Sequence, residues 1–457
     1  MAQEVGWGHK YMKLSRLLIA AAVLAALSGA VWWSNRAETA KAGKPAPDTT
    51  PKILALKEDT IKGIEIQKRG EAPTVLKKND NNQWAITAPQ PLAADQSSVT
   101  SITSVVSSLT ADRLVDDNAS DLASYGLDPA AVVVTFTTAD GKTTKLLVGD
   151  DSPVGGNVYA KVDGDKRLFT MGSFNKTTFN KGSTDLREKH LIVFDQEKLS
   201  RVELLPAKKP PVEFGRAGQN DWQILKPRPM RADSFQVEEL IRKVKDTAME
   251  TDSDPKAAAA AFASGQSMCV VKLTTQSGTL TMEVRKVKDN YYAKASSMEG
   301  FYKVNKDLGE GMDKAVDDFR NKKLFDFGFN DPTRVEFKDG GKSTVLEKSG
   351  DKWTSGGKTM DSVSVQNLID KLRDLAAAKF ADSGFTTAVI EMTVVSSEGK
   401  RTENVQVAPA AAGKFLTKRS DDSSLYELEG TAVQGLRDAA AGVKEAVPEP
   451  APAGKKK

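Results

Sequence analysis

Residues 84–99 read WAITAPQPLAADQSSV, and residues 222–237 read WQILKPRPMRADSFQV. Both stretches keep a tryptophan, an isoleucine, two prolines, an Ala-Asp pair and a valine at identical spacing, and Trp84 and Trp222 are 138 residues apart. A third copy begins at Trp353 and keeps the ending Asp361-x-x-x-Val365, with three residues fewer in between. This repetition predicts that one folding unit occurs three times in the chain.

Further landmarks recur in the same order around the tryptophans. An apolar-Glu-apolar triplet precedes them by 20, 20 and 18 residues, as Ile64-Glu65-Ile66, Val202-Glu203-Leu204 and Val335-Glu336-Phe337. A later motif occurs as Tyr159-Ala160-Lys161, Tyr292-Ala293-Lys294 and Leu416-Thr417-Lys418, and an aromatic residue follows its first position by 10 residues, as Phe169, Tyr302 and Tyr426. The first two units end in Leu186-Arg187-x-Lys189 and Phe319-Arg320-x-Lys322, for which Leu436-Arg437 is the counterpart in the third unit.

The residues after each Ala-Asp or Met-Asp pair have the spacing of an amphipathic helix. The apolar positions are Val99, Ile102, Val105, Val106 and Leu109, then Val237, Leu240, Ile241 and Val244, then Val365, Leu368, Ile369, Leu372 and Leu375. Such i, i+3, i+4, i+7 spacing forms one buried stripe. Asp95, Asp233 and Asp361 are therefore predicted to be helix N-caps, with Gln236 at the capping-box position in the second unit. Capping is favoured over an acid-base role for these aspartates.

Hairpin patterns follow each helix. Residues 131–138 and 145–148 flank Asp140-Gly141, residues 268–275 and 279–284 flank Gly278, and residues 389–395 and 403–407 flank Gly399. Apolar runs separated by a glycine turn are typical of antiparallel strands. The sequence thus predicts an α+β protein with three tandem modules, each an antiparallel sheet with a packed helix. We place these modules at residues 53–195, 196–327 and 328–446.

Composition restricts the chemistry that the chain performs. The 457 residues include 65 Lys and Arg against 61 Asp and Glu, so the net charge of +4 predicts no broad cationic face for nucleic acid. Cys269 is the only cysteine, which excludes an intramolecular disulfide and Cys-based zinc or iron–sulfur sites. The two histidines are His9 and His190. No catalytic, cofactor-binding or metal-ligating residue is assigned, and no cofactor is expected.

Residues 14–33, LSRLLIAAAVLAALSGAVWW, form an apolar stretch with Arg16 as its only charge. Twenty helical residues cover about 30 Å, the thickness of the hydrocarbon core of a bilayer. Terminal tryptophans favour an uncleaved transmembrane anchor, and Ser28-Gly29-Ala30 leaves a cleaved signal peptide as the alternative. Position 30 is Ala, which excludes a lipoprotein anchor at that position.

The flanks of this stretch complete the domain assignment. Basic residues flank both ends of the stretch, so their distribution does not set its orientation. The preceding tail, residues 1–13 with Met12 as a possible start, is short, and this favours an N-terminus inside the cytoplasm. Residues 34–52 predict a polar linker that contains three prolines. Residues 447–457 predict a disordered tail ending in three lysines. The modules are thus expected in the periplasm or otherwise outside the cytoplasm, held by the inner membrane.

Several short motifs have a functional and a structural interpretation, and the structural one is favoured in each. Trp84, Trp222 and Trp353 are predicted to pack in the core rather than to bind ligands by stacking. Further motifs weighed in this way are Ser173-x-x-Lys176, which matches acyl-serine enzymes without their downstream Lys-Thr-Gly; Asp163-x-Asp165, an incomplete calcium loop; Gly149-Asp150-Asp151-Ser152, a turn; His190, a surface residue; and Cys269, a buried thiol.

The combination of leader, linker, tryptophan motif, Tyr125-Gly126-Leu127-Asp128-Pro129 and Leu186-Arg187-x-Lys189 resembles a bacterial envelope family, the domain-of-unknown-function family four-three-four-zero (DUF4340). The resemblance covers most of residues 14–445, and the third unit lacks the two prolines and the Tyr-Gly-Leu-Asp-Pro motif. It implies a single-pass envelope protein that is often encoded beside gliding-motility-like ABC transporter components. The family offers no catalytic residues for transfer to this chain.

Two functional hypotheses follow. The first is a non-catalytic, membrane-anchored binding or scaffold component of an ABC-type transporter complex, whose partners are inner-membrane lipid and other envelope or transporter proteins. The second is a periplasmic ligand-binding protein for sugars or cell-wall material. An enzyme is not expected, because the residues that repeat are those that specify caps, turns and strand faces.

Overall fold

The computed structural model describes residues 51–251, 253–328 and 332–447 of the chain. Within these residues the chain forms three large antiparallel sheets, a two-stranded sheet and eight α-helices, which confirms the sheet-rich fold with packed helices. Residues up to Glu188 belong to one compact unit, and residues from Lys189 onward belong to a second. The predicted anchor at residues 14–33 lies outside the described residues, and no helix inside them has the length and apolarity to cross a bilayer.

The first unit contains a nine-stranded sheet, a two-stranded sheet and three helices. The large sheet comprises, in spatial order, β5 (Leu92–Ala93), β4 (Trp84–Ala88), β3 (Thr74–Lys78), β2 (Ile61–Lys68), β8 (Val132–Thr138), β9 (Thr143–Asp151), β10 (Asn157–Val162), β11 (Leu168–Gly172) and β7 (Arg113–Asp116). The small sheet pairs β1 (Lys52–Leu54) with β6 (Leu109–Thr110). The helices are α1 (Gln96–Ser107), α2 (Ser173–Phe179) and α3 (Ser183–Leu186).

The second unit begins with an eight-stranded sheet. Its spatial order is β15 (Met230–Arg231), β14 (Trp222–Lys226), β13 (Val212–Arg216), β12 (Leu199–Pro206), β16 (Gln266–Thr275), β17 (Gly278–Val287), β18 (Asn290–Ala295) and β19 (Met298–Val304). Its helices are α4 (Ser234–Lys245), α5 (Pro255–Ser264) and α6 (Lys306–Met312).

A nine-stranded sheet completes the second unit. Its spatial order is β23 (Lys358–Thr359), β22 (Lys352–Ser355), β21 (Lys342–Ser349), β20 (Arg334–Asp339), β25 (Ile390–Ser396), β26 (Arg401–Pro409), β27 (Phe415–Arg419), β28 (Asp422–Leu428) and β24 (Lys379–Ala381). Its helices are α7 (Ser362–Arg373) and α8 (Gly430–Ala441).

The three large sheets share one strand order. The shared part comprises eight strands: four form a meander, a helix follows, and a later strand pairs with the first, as β2 with β8, β12 with β16 and β20 with β25. The first and third sheets have a ninth strand at one edge, β7 and β24, which the chain forms before β8 and β25. The apolar residues of each apolar-Glu-apolar triplet are buried on that first strand. The predicted hairpins correspond to β8–β9, β16–β17 and β25–β26, which confirms them. Three separate apolar clusters fill the space between these sheets and their helices.

The predicted amphipathic helices are confirmed as α1, α4 and α7, with one correction at each of two C-terminal ends. Val99, Ile102 and Val106 are buried on α1, and the stripes on α4 and α7 are buried in full within the helices. Leu109 and Leu375 lie beyond the last helical residues, Ser107 and Arg373. Leu109 starts β6 instead, because the chain has already turned into the small sheet.

The three cap aspartates are confirmed and have a second role. Their carboxylates accept hydrogen bonds from the backbone N–H groups of Ser97 and Ser98, of Gln236 and of Ser364. Their own backbone N–H groups donate to carbonyl oxygens of each sheet's closing segment, at 2.8 Å from Asp95 to Leu186, 2.7 Å from Asp233 to Phe319 and 2.9 Å from Asp361 to Lys444. Each aspartate therefore connects a helix start to the segment that follows the last strand of the same sheet.

Two predictions about these positions are wrong, because the partner of each aspartate N–H group is distant in sequence. Gln236 does not close a capping box, because the Asp233 N–H is bonded to Phe319, and the Gln236 side chain accepts from Lys314 at 2.7 Å. Leu436-Arg437 is not the structural counterpart of Leu186-Arg187. It lies inside α8, and the carbonyl of Lys444 holds the position of the Leu186 carbonyl.

Three further features differ from the sequence-based expectations. Gly149 to Asp151 are the last residues of β9 and not a turn. Leu191 and Ile192, assigned from the repeat to the first module, lie in the apolar cluster of the second large sheet, and Leu324 and Phe325 lie in that of the third. Helix α5 was missed, although Asp254 caps it and Pro255 occupies its first turn, the usual signals of a helix start.

We expect Asp233→Ala to lower the stability of the first turn of α4 by about 1 kcal/mol, because the Gln236 N–H loses its acceptor. Hydrogen–deuterium exchange of peptides that cover Ser234–Lys245 measures this as faster exchange. Asp246→Ala, at the other end of the same helix, is the matched control. Equal exchange in the two variants would contradict the capping role.

Candidate functional site

The three repeat tryptophans are buried, which confirms the packing prediction. Trp84 and Trp222 begin β4 and β14, Trp353 is the second residue of β22, and none exposes more than 5% of its surface. A cation lies over each indole, at 5.1 Å from Lys78, 4.8 Å from Arg216 and 6.0 Å from Lys348 to the ring centroids. The indoles therefore offer no exposed face for stacking on a ligand.

The second large sheet elaborates this arrangement. The Trp222 indole N–H donates to Glu238 at 2.6 Å, and the other oxygen of that carboxylate accepts from the Gln196 side chain at 2.5 Å. Arg216 stacks on the indole and donates to the carbonyl oxygens of Leu199 at 2.7 Å and Gln196 at 2.8 Å. Arg216 thus fixes the segment before β12 against the turn between β13 and β14.

These two segments border a cleft. Its volume is about 1000 Å³. Its lining is mainly polar and includes the exposed side chains of Asp195, Lys198, Gln219, Asn220, Lys245 and Gln276. Amide and charged groups of this kind provide hydrogen-bond donors and acceptors for a polar ligand.

A second site joins the second and third large sheets through Arg231, the last residue of β15. Its guanidinium lies 2.5 Å from the Asp326 carboxylate, and it donates to the Lys323 carbonyl oxygen at 2.7 Å and to the Tyr426 hydroxyl at 3.1 Å. The Tyr426 hydroxyl in turn donates to Asp422 at 2.5 Å. Burial and the Asp422 carboxylate raise the pKa of Tyr426, so the phenol stays protonated at neutral pH.

A buried ion pair lies behind Arg231. The Arg419 and Glu403 side chains are 1% and 2% exposed, and their nitrogen and oxygen atoms lie 3.2 Å apart. Arg419 also pairs with Asp421 at 2.7 Å, and its hydrogen bond lowers the pKa of the Asp421 carboxyl. Arg401 contacts Glu403 at 3.3 Å, and the Glu403 carboxylate accepts the Asp326 N–H at 2.9 Å. The joint is therefore a continuous network of charged hydrogen bonds.

This network is specific to the third sheet. The strand registers place Leu280 and Ala295 of the second sheet at the positions of Glu403 and Arg419. Val193 holds the position of Asp326, because Leu191 and Leu324 make equivalent backbone hydrogen bonds. The repeat marks residues that the copies share, whereas the residues of this joint are the ones that differ between copies, so the repeat does not indicate the joint.

Arg320, from the repeated Phe319-Arg320-x-Lys322 motif, also belongs to this joint. It forms a bridge with Ala232 beside β15, and its guanidinium lies 3.4 Å from the centroid of the Phe380 ring in β24. One of its nitrogens pairs with Asp317 at 2.9 Å. Arg320 thus contacts the third sheet through Phe380 and bridges to Ala232 beside the second sheet.

The Tyr125-Gly126-Leu127-Asp128-Pro129 motif forms a compact turn against the end of β9. Gly126 has φ +64°, and a Cβ on it would overlap the Asp150 carboxylate. The Arg69 side chain donates to the Gly126 carbonyl at 3.1 Å, and the Tyr125 and Tyr159 rings contact edge to face at 4.8 Å. The motif residues therefore hold a loop to the sheet.

The remaining motifs have structural roles. Lys176 of the Ser-x-x-Lys motif pairs with Asp151 at 2.8 Å. Asp165 pairs with Arg167 at 2.6 Å, and this contact lowers the pKa of Asp165 to about 2. His190 is exposed, in agreement with the prediction of a surface or interface residue. No cluster of three or more His, Cys, Asp or Glu side chains suited to a metal ion occurs in residues 51–251, 253–328 and 332–447.

Cys269 is buried on β16, and burial raises the pKa of its thiol to about 12. A thiol with this pKa is almost entirely protonated at neutral pH and therefore a poor nucleophile. The prediction of a buried, unreactive cysteine agrees with this environment.

The family comparison supports the repeat. A family model described as Domain of unknown function (DUF4340) matches residues 84–250 and again residues 222–389, and both matches begin at a repeat tryptophan. The chain belongs to this family, as the sequence motifs indicated. No curated protein matches the chain.

We expect Arg231→Met to loosen the joint, because it removes a charged hydrogen bond to Asp326 and the contact with Tyr426. Charge-assisted hydrogen bonds contribute about 1.5–3 kcal/mol, so amide exchange in residues 321–328 should accelerate by about tenfold or more. Arg228→Met changes the same side chain at an exposed position three residues earlier and is the control. Unchanged exchange in Arg231→Met would show that the joint does not depend on this arginine.

Proposed function

We propose that this protein is a single-pass envelope scaffold: an N-terminal anchor at residues 14–33, a linker, and three tandem copies of one α+β module outside the cytoplasm. Its function is to bind and position other envelope proteins, among them components of an ABC-type transporter. No step of this function requires catalysis by the chain.

The common strand order of the three sheets is the observation that carries the proposal. The repeated residues cap helices, fill cores and close modules, which is the pattern of arrays that present successive surfaces to partners. The positions that repeat thereby specify a framework, and the surfaces between them are free to differ from copy to copy.

The charged joint supports a role in positioning. Arg231 and Arg320 connect the second large sheet to residues of the third by hydrogen bonds and ring stacking. A partner held by one of these sheets would have a defined orientation relative to a partner on the other. A flexible connection would not provide this.

Membrane anchoring rests on the composition of residues 14–33, and the transporter association rests on the family resemblance. Both are tested in one preparation. We expect the full-length chain to remain in the membrane pellet after alkaline carbonate extraction and to be digested by protease only when the outer face of the inner membrane is exposed.

After detergent solubilisation and chemical cross-linking, affinity purification should recover membrane-transporter subunits with the chain. Arg231→Met is the informative variant, since it should keep membrane attachment and reduce recovery of partners that need both sheets. Release by carbonate would contradict the anchor. Repeated purification of the chain alone would contradict the scaffold role.

A ligand-binding role is the second candidate, and the polar cleft beside Arg216 is the observation that favours it. Because Arg216 lies over the Trp222 ring, a ligand that moves this arginine should change the fluorescence of Trp222. We expect saturable changes on titration with cell-wall oligosaccharides, and the Trp222→Phe variant should lose them. Flat titrations across a broad glycan panel would contradict this role.

A further inference from the structure

Two large apolar side chains are exposed in the described part of the first unit. Val154 and Phe174 are 68% and 70% exposed. Val154 lies in the turn between β9 and β10, and Phe174 is the second residue of α2. The Ser173 N–H donates to the Gly156 carbonyl at 2.8 Å, which holds the turn beside the start of the helix. Exposed apolar side chains that lie together can form a site of contact with a protein or a membrane.

Val154 and Phe174, together called the apolar edge, lie near the point where the preceding chain joins the first unit. The carbonyl of Pro51, the first described residue, accepts the Ala111 N–H at 2.7 Å. The next residue, Asp112, donates its N–H to Thr170 at 2.7 Å, and its carboxylate accepts from the Asn157 side chain at 2.8 Å. Asp112 therefore connects the entry point of the chain to β10 and β11, which adjoin the turn that contains Val154 and the helix that contains Phe174.

We propose that Val154 and Phe174 contact the lipid surface of the membrane in which the chain is anchored. This inference rests on the proposed anchor at residues 14–33. Seventeen residues, 34–50, separate that segment from Pro51. Even fully extended they span at most about 60 Å. The linker therefore keeps the entry side of the first unit within reach of the bilayer, where its two exposed apolar side chains enter the headgroup region.

The charges beside the edge determine which lipid surface it fits. Asp112 lies next to Asn157, and Asp151 pairs with Lys176, so the edge carries no excess of cations in these contacts. Contact is therefore apolar rather than electrostatic. It should occur on zwitterionic bilayers and persist at high salt, which screens exposed charges.

Site-directed spin labelling of the full-length chain in phosphatidylcholine vesicles tests this contact. Cys269 is buried and its thiol has a raised pKa, so a label attaches selectively at Val154→Cys or Phe174→Cys. Lys142→Cys is the control, because Lys142 is exposed at the opposite end of β9 in the same unit. The readout is the accessibility of each label to oxygen, which partitions into lipid, relative to a water-soluble nickel chelate.

We expect the oxygen-to-nickel accessibility ratio to be severalfold higher at positions 154 and 174 than at 142, with and without 0.5 M salt (a concentration on the order of several times physiological). Equal ratios at all three positions in a chain that resists carbonate extraction would overturn the lipid contact and leave the anchor standing. Release of the chain by carbonate would overturn both. The two labelled positions are independent, so a folding defect in one variant does not decide the result.

Discussion

The hydrogen bonds of three aspartates organise the fold. Each carboxylate accepts hydrogen bonds from N–H groups at the start of a helix, while the backbone N–H of the same residue donates to the closing segment of the same sheet. The start of a helix leaves N–H groups without partners inside the helix, and a residue that satisfies them also fixes where the helix begins. Because Asp95, Asp233 and Asp361 also bind the closing segment, a single residue fixes the start of the helix next to the segment that closes the sheet.

The joint between the second and third sheets follows a different physical principle. Burying Arg419 and Glu403 has a desolvation cost, which their mutual attraction offsets only when the geometry and remaining hydrogen bonds are good. Here Asp421 pairs with Arg419, and the Asp326 N–H and Arg401 both contact one carboxylate oxygen of Glu403, whose second oxygen is buried without a hydrogen-bond partner. Removing one partner of such a pair typically costs about 3–5 kcal/mol, whereas apolar residues at the same positions are tolerated. Leu280 and Ala295 at the corresponding positions of the second sheet are an example of that apolar solution. The third sheet thus carries a charged pair where the second sheet has apolar residues.

Periodicity and spacing predicted much of the fold. The stripes of Val237, Leu240 and Ile241, the glycine turns and the cap aspartates each depend on a few neighbouring residues, so they can be recognised locally. Features that depend on contacts distant in sequence could not be recognised. The partner of the Asp233 N–H is Phe319, and no local pattern identifies it. For the same reason the residue types of Leu436-Arg437 suggest a counterpart of Leu186-Arg187, whereas Lys444 holds the position of Leu186 in the structure.

The same distinction explains why the candidate sites were harder to predict than the framework. Repetition identifies residues that every copy needs, and those are helix caps, core tryptophans and closing segments. A site used by one copy differs from the others by definition, as Arg216, Arg231 and Glu403 do. Arg216 stands where the other copies have Lys78 and Lys348, each over the equivalent indole, and it also donates to the carbonyl oxygens of Leu199 and Gln196 beside the cleft. In a chain built from repeats, departures from the repeat at buried or clustered positions are thus the better indicator of function. The repeated residues around them form the framework, and its packing determines how rigidly the residues that differ are positioned.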